Sequence, residues 1–156
     1  MMHARCLSLA QHDLPSLSRI AQTLTPELVL QPRYQQHRNG PRSIREVILC
    51  DPAPEQIAAT HARIAGHPVE RRGDDFAIDL GRGRLTVVAP ERLAALIPGA
   101  TPPTLPYLAG FTVTVDDLAQ PRAVLRETDV PVVEQDGRVI VAAKDACGCA
   151  VLFAAG

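Results

Sequence analysis

The chain has 156 residues, of which 46% are hydrophobic, and this supplies enough apolar side chains for one folded core. Sixteen basic against seventeen acidic residues leave a net charge of −1, with no basic stripe and few aromatics, which argues against nucleic-acid or anionic-membrane partners. No apolar run approaches a membrane span or a secretion signal, so a cytoplasmic location is expected.

Residues 1–43 form an arm whose apolar residues keep no steady period. One helix or strand is expected around Leu14 to Leu30, and Asn39-Gly40-Pro41 is a turn signal that closes the segment as a linker.

From residue 44 the pattern becomes regular. A strand is predicted over Arg45 to Cys50, and Asp51-Pro52 ends it because the residue before proline avoids the helical region. Pro54 to Ala65 carries an apolar stripe at helical spacing, and Gly66 is a stop signal. Three strands and a short helix are expected next, over 69–70, 75–80, 85–89 and 91–97, with a hairpin turn at 81–84.

The remaining residues repeat this pattern. Equivalent residues such as Asp51 and Asp117, or Gly83 and Gly148, are offset by about 65 positions, as a duplicated supersecondary unit requires. The second copy is predicted to contain a strand, a helix and three strands, at 107–115, 118–127, 131–134, 138–143 and 149–154. Two βαβββ modules, 44–98 and 107–156, therefore make up the main domain.

These modules resemble the vicinal oxygen chelate superfamily, specifically its glyoxalase-like domain proteins. The resemblance covers 44–156 and rests on four segments, which are Asp51-Pro52 with the helix to Gly66, Asp79 to Thr86, Leu105 to Phe111, and Cys147 to Ala150. It implies an α+β fold in which the two modules form one cupped mixed sheet with helices on its outer face.

The arm is similar to the closing strand and linker that join two such domains in longer relatives. The matching residues are Gln22, Leu24 to Val29, and Gln36 to Gly40. On this resemblance, 1–43 is the tail of a preceding domain and the chain is a shortened member. A surface left uncovered by the lost domain would be compatible with a homodimer.

The resemblance also implies where a metal would bind. In metal-using members each module contributes one His or Gln from its first strand and one Glu from its last, and the matching positions here are Ile44, Val87, Gly110 and Leu152. None of these side chains can ligate a metal. A register error of one would offer Arg45, Phe111, Thr86 or Phe153 instead. The prediction is therefore a protein without a metal or other cofactor.

Strand alternation predicts which residues face the cup. If Ile44 and Gly110 point inward, Glu46, Thr112 and Thr114 do as well. Burying an unpaired charge is costly, so an inward-facing carboxylate indicates a function. It could orient a ligand or act as a general base. The alternative is an exposed strand-end glutamate that pairs with Arg45 or Arg138 or is accessible to water.

Tyr107 opens the first strand of the second module, where it either lines the mouth of a pocket or packs in the core. The predicted ligand-binding residues are thus Glu46, Thr112, Thr114 and Tyr107, and Glu46 is also the catalytic candidate.

Three functions remain open, and whether the chain is an enzyme is one of the open points. The first is a metal-free glyoxalase-like protein that binds a small organic molecule in the cup. The second is a lyase, isomerase or dioxygenase acting on a small carbonyl or aromatic substrate, with Glu46 as base. The third is a degenerate structural or assembly module, which would be favoured by Ile44, Val87 and Leu152 packing together with no cavity.

Overall fold

The computed structural model describes residues 4–8 and 19–156, and the chain divides into two compact units, Met1–His37 and Arg38–Gly156. The first unit contains an antiparallel strand pair and two one-turn helices, which are β1 (Ala4–Ser8), β2 (Arg19–Thr23), α1 (Pro26–Val29) and α2 (Pro32–Gln35). Each helix has proline in its first turn, where the missing N–H has no intrahelical partner to lose. The single element expected around Leu14 to Leu30 is therefore a strand followed by a helix, and the part of that range before Arg19 lies outside the described residues.

The second unit is built around one eight-stranded mixed sheet. Its elements are β3 (Pro41–Cys50), α3 (Pro54–Ala65), β4 (Glu70–Arg72), β5 (Asp75–Asp79), β6 (Arg84–Val88), α4 (Pro90–Leu96), β7 (Tyr107–Val115), α5 (Ala119–Glu127), β8 (Val133–Gln135), β9 (Arg138–Val141) and β10 (Ala150–Ala155). A 3₁₀ turn, Ala143–Asp145, precedes the last strand. The strand order β4-β5-β6-β3-β7-β10-β9-β8 confirms the two βαβββ modules.

The two modules meet at their first strands, since β3 and β7 pair antiparallel in the middle of the sheet. In each module the closing strand lies parallel to the opening one, β6 beside β3 and β10 beside β7. Both modules of the sheet are therefore formed by one chain.

Helices α3 and α5 cover the outer face of the sheet. The predicted bounds of α3 match, and Gly66 caps it in the left-handed conformation with a φ of 70°. Its apolar stripe, Ile57, Ala58 and Ala62, packs on Phe76, Ile78 and Val87. Leu125 of α5 packs against the equivalent cluster of the second module, around Val113 and Phe153.

Helix α4 lies on the opposite face, inside the cup, where no helix was expected. Leu93 and the following Ile97 are four residues apart, so both project from one side of the helix, and they bury themselves against Ile48, Ile140 and Leu152. The outer face of the first module is already occupied by α3, which leaves the cup face as the surface that can bury this stripe.

Among the described residues, no helix is long and apolar enough to cross a membrane.

A glycine in β7 permits the close packing of this covered region. A Cβ on Gly110 would lie 3.0 Å from the carbonyl oxygen of Ala150, 3.0 Å from Cδ1 of Ile97 and 3.1 Å from Cδ1 of Leu152. A strand carbonyl cannot move freely, so the added methyl group should cost more than the gain of about 0.4–1 kcal/mol that comes from the lower entropy of the unfolded chain. We therefore expect Gly110→Ala to lower the free energy of unfolding by about 1 kcal/mol net. Urea unfolding of the two proteins measures this, and an unchanged or raised stability would contradict the packing described.

Candidate functional site

The centre of the cup lies where the two modules meet. Glu46 of β3 and Thr112 of β7 are directly opposite each other in the antiparallel register, and they are the same position of the two copies, 66 residues apart. The approximate twofold relation between the modules therefore passes between these residues. Glu46 is half-buried and Thr112 is buried.

Two hydroxyl groups hold the Glu46 carboxylate. Thr86 donates a hydrogen bond of 2.6 Å to Oε1, and Thr112 donates a longer one of 3.4 Å to Oε2. Both threonines are at least nine-tenths buried, so they keep the carboxylate in one orientation while each of its oxygens retains a free lone pair. This arrangement can accept a hydrogen bond or a proton from a bound molecule.

The alternative in which Glu46 pairs with an arginine is not what the structure shows. Arg138 lies 3.6 Å from Asp136, and Arg45 is one of the residues that line a neighbouring cavity. In the described part of the chain, no ion pair involves Glu46. Its carboxylate accepts hydrogen bonds from hydroxyl groups instead.

One inward-facing residue was assigned incorrectly, because a β-bulge interrupts the alternation of β3. Ile44 pairs with Val113 and Glu46 with Thr112, so Arg45 is an extra residue and Ile44 points to the same side as Val113, away from the cup. Ile44 is 54% exposed at this position. Thr112 and Thr114, by contrast, share the cup face with Glu46, as predicted from alternation.

The residue of β6 that was expected to face the cup was also wrong by one position. Val87 packs under α3 on the outer face, whereas Thr86 faces the cup. Leu152 is on the cup face beneath α4. Ile44, Val87 and Leu152 therefore do not pack together, and the filled centre that would have favoured an assembly module is not built from them.

The cup has a covered half and an open half. Helix α4 fills the half around Ile48 and Leu152, while the other half contains a cavity of about 380 Å³. Its lining consists of Ser43, Arg45, Asp79, Gly81, Arg82, Gly83, Arg84, Thr114 and Gly156. The hydroxyls of Ser43 and Thr114 lie 2.7 Å apart at its wall. Thr114 is thus the predicted ligand-binding residue that lines the cavity directly.

Tyr107 lies in the covered half, opposite Cys50 in the register and seven residues from Thr114 along β7. Its hydroxyl donates a 2.7 Å hydrogen bond to the carbonyl of Gly148. Burial, and then the nearby thiols of Cys149 and Cys50, raise the pKa of Tyr107. The structure does not bring Tyr107 to the cavity near Glu46, so its role in ligand binding stays a prediction.

Arg84 also lies at this site, although the sequence pattern indicated only that it belongs to a hairpin turn. Arg84 is adjacent to Glu46 in the parallel register of β3 and β6, and it lines the cavity. Its Nε is buried and has no hydrogen-bond partner among the described residues. The available signal was its spacing of two from Thr86, which places both residues on one face of a strand.

A divalent metal does not fit the donors at the centre of the cup. Glu46 supplies one carboxylate, and the adjacent Thr86 and Thr112 are neutral hydroxyls that already donate to it. The described residues contain no cluster of three or more His, Cys, Asp or Glu side chains able to hold a metal ion. A stable site needs several nitrogen, oxygen or sulfur ligands, which this set does not provide.

Comparison with solved structures places the fold. The structure of methylmalonyl-CoA epimerase from Mycobacterium tuberculosis matches 79% of this chain and 93% of its own, with a TM-score of 0.54 and 14% identity. A variant of the Streptomyces coelicolor methylmalonyl-CoA epimerase, in complex with 2-nitronate-propionyl-CoA, matches 75% of this chain and 100% of its own, with a TM-score of 0.53 and 12% identity.

A third structure, methylmalonyl-CoA epimerase in complex with methylmalonyl-CoA and NH4+, matches 75% of this chain and 97% of its own, with a TM-score of 0.52 and 13% identity. No protein-family model matches the sequence, and no curated protein is significantly similar to it. Identities this low establish the architecture and not the activity. The chain therefore has the fold of the vicinal oxygen chelate superfamily, as the resemblance of its two modules predicted.

Proposed function

We propose that the open half of the cup binds a small organic molecule, with the Glu46 carboxylate as hydrogen-bond acceptor and without a divalent metal. The observation that carries this is the carboxylate held by Thr86 and Thr112 beside an open cavity of about 380 Å³. Cavities of roughly 300–1,000 Å³ are typical of small-molecule sites. Thr114, on the cavity wall, would orient the same molecule.

The metal-free part of this proposal predicts a specific analytical result. Elemental analysis of the purified full chain should find divalent metals well below one ion per chain, and the melting temperature should not change on adding EDTA, because the centre of the cup lacks a ligand set. One bound ion per chain that is lost in Glu46→Gln, but kept in a control with the exposed Glu91 changed to Gln, would contradict the proposal.

A second candidate is proton transfer next to a carbonyl, and the position of Arg84 beside Glu46 favours it. The carboxylate would take the proton as the C–H bond breaks, the electron pair would move onto the carbonyl oxygen, and the guanidinium would stabilise that oxygen by a hydrogen bond. Returning the proton to carbon restores the carboxylate. The equivalent position in the second module is Thr112, which is not a base, so a single residue would perform both transfers.

Methylmalonyl-CoA, the compound bound in one of the structures similar in fold, is a suitable probe for this candidate. Incubated with the chain in D₂O, it should exchange the hydrogen on its α-carbon faster than in buffer, as seen by NMR. Glu46→Gln should abolish the acceleration and Glu91→Gln should retain it. Exchange at the buffer rate with the wild-type chain would leave ligand binding as the function.

An open cavity favours ligand binding over a degenerate assembly module. The homodimer and the cytoplasmic location stay predictions, and light scattering coupled to size exclusion of the full chain tests the first of them.

A further inference from the structure

The open half of the cup is strongly cationic. Three arginines, Arg45, Arg82 and Arg84, line the cavity, and Asp79 is the acidic side chain among the lining residues. Asp79 already accepts a 2.8 Å hydrogen bond from the backbone N–H of Gly81 in the hairpin turn. Positive potential in a concave, partly desolvated site attracts anions more strongly than the same charges on an open surface.

These arginines have no ion-pair partners within the described ranges, which distinguishes them from others in the same unit. Arg42 pairs with Asp116, and Arg122 pairs with Glu134 at 2.8 Å. Among the described residues, no carboxylate lies within ion-pair distance of Arg84, although Glu46 and Asp79 are its neighbours on the two adjacent strands. The Glu46 carboxylate is instead turned toward the two threonines.

Arg84 has the clearest unmet requirement. Its Nε is buried and has no partner in the part of the chain that the structure describes, and a guanidinium cannot lose its proton to avoid that cost. A planar carboxylate or a phosphate group in the cavity would accept from Nε and a terminal nitrogen together, which is the pairing that guanidinium geometry favours.

We propose that Arg84, assisted by Arg45 and Arg82, forms an oxyanion subsite, so that the ligand of the cup is a small organic acid or phosphate that also carries a hydroxyl or amino group. The hydroxyl or amino group of the ligand follows from the spacing of the strands. Glu46 lies beside Arg84 on the neighbouring strand, roughly 5 Å away, so its carboxylate would accept a hydrogen bond from that group. This ligand class rests on the proposed function of Glu46, whereas the oxyanion subsite stands on the arginines alone.

Four probes separate the two contributions in NMR titrations of the ¹⁵N-labelled full chain. Malate has the charge and the hydroxyl, succinate has the charge alone, dimethyl malate has the hydroxyl alone, and inorganic phosphate is a carbon-free oxyanion. Malate, succinate and phosphate should shift the amide signals of Gly83 and Thr114, with malate the tightest of the organic probes. Dimethyl malate should leave these signals unchanged.

Arg84→Met should weaken malate and succinate about tenfold or more, because it removes charge-assisted hydrogen bonds. Arg63→Met, which removes an exposed arginine of α3, should bind as the wild type does. If Arg84→Met does not fold, the double variant of the exposed Arg45 and Arg82 to Met provides the same comparison. Equal binding of malate by Arg84→Met and Arg63→Met would overturn the subsite.

Glu46→Gln distinguishes failure of this inference from failure of the proposed function. If the anions bind through Arg84 but Glu46→Gln leaves the preference for malate over succinate unchanged, the subsite holds and the role of Glu46 is wrong. If dimethyl malate binds as tightly as malate and Glu46→Gln weakens both, the role of Glu46 holds and the oxyanion subsite is wrong.

Discussion

Replacing Leu93 with alanine should lower the free energy of unfolding by about 3 kcal/mol, because it leaves a void under α4 that the surrounding side chains cannot fill. Leu93 is fully buried and packs against Ile48, Val88 and Leu152 on the cup face. It is thus the main anchor of α4 on the cup face of the sheet. Chemical denaturation, followed by circular dichroism, measures the change.

Leu108→Ala is the matched control, since Leu108 is 49% exposed on β7. Its removal should change the stability by less than about 0.5 kcal/mol. Comparable small losses in both variants would mean that α4 does not pack in the cup, and the division into covered and open halves would fail with it.

Thr86→Val should cost about 2 kcal/mol, because it removes the short hydrogen bond to the Glu46 carboxylate and leaves that half-buried charge less well solvated. Thr112→Val removes a bond of 3.4 Å and should cost less. The valine side chain has nearly the same shape as threonine, so the comparison isolates the hydroxyl.

A double-mutant cycle with Glu46→Gln tests the assignment of this cost. The penalty of Thr86→Val should shrink when residue 46 is already glutamine, because the charge is no longer present. An unchanged penalty in the glutamine background would show that Thr86 stabilises the sheet in some other way.

Much of the fold was predictable, because local patterns determine the elements that carry it. The helix from Pro54 to Ala65 has both a proline start and a glycine stop, and the strand from Tyr107 to Val115 is bounded by prolines and acidic residues. The 66-residue offset also placed Glu46 and Thr112 at equivalent positions, and the structure puts them side by side at the centre of the sheet.

The candidate site was predicted less completely, since it depends on register. The bulge at Arg45 has no local signature and reverses the side to which Ile44 points. The partnership of Glu46 with Thr86 spans 40 residues and requires the pairing of β3 with β6. Helix α4 lies on the cup face because α3 already covers the outer face of the same module. The apolar pattern of one helix carries no information about the face that another helix occupies.

The central claim is that the open half of the cup binds small organic molecules at Glu46 without a metal. The most direct test is a crystallographic fragment screen of the full chain, with crystals that are grown and soaked in the presence of EDTA. We expect bound fragments to cluster in the cavity bounded by Arg84 and Thr114, with a polar atom within hydrogen-bond distance of the Glu46 carboxylate. Fragments found only elsewhere on the protein, with this cavity occupied by solvent in every crystal, would contradict the claim.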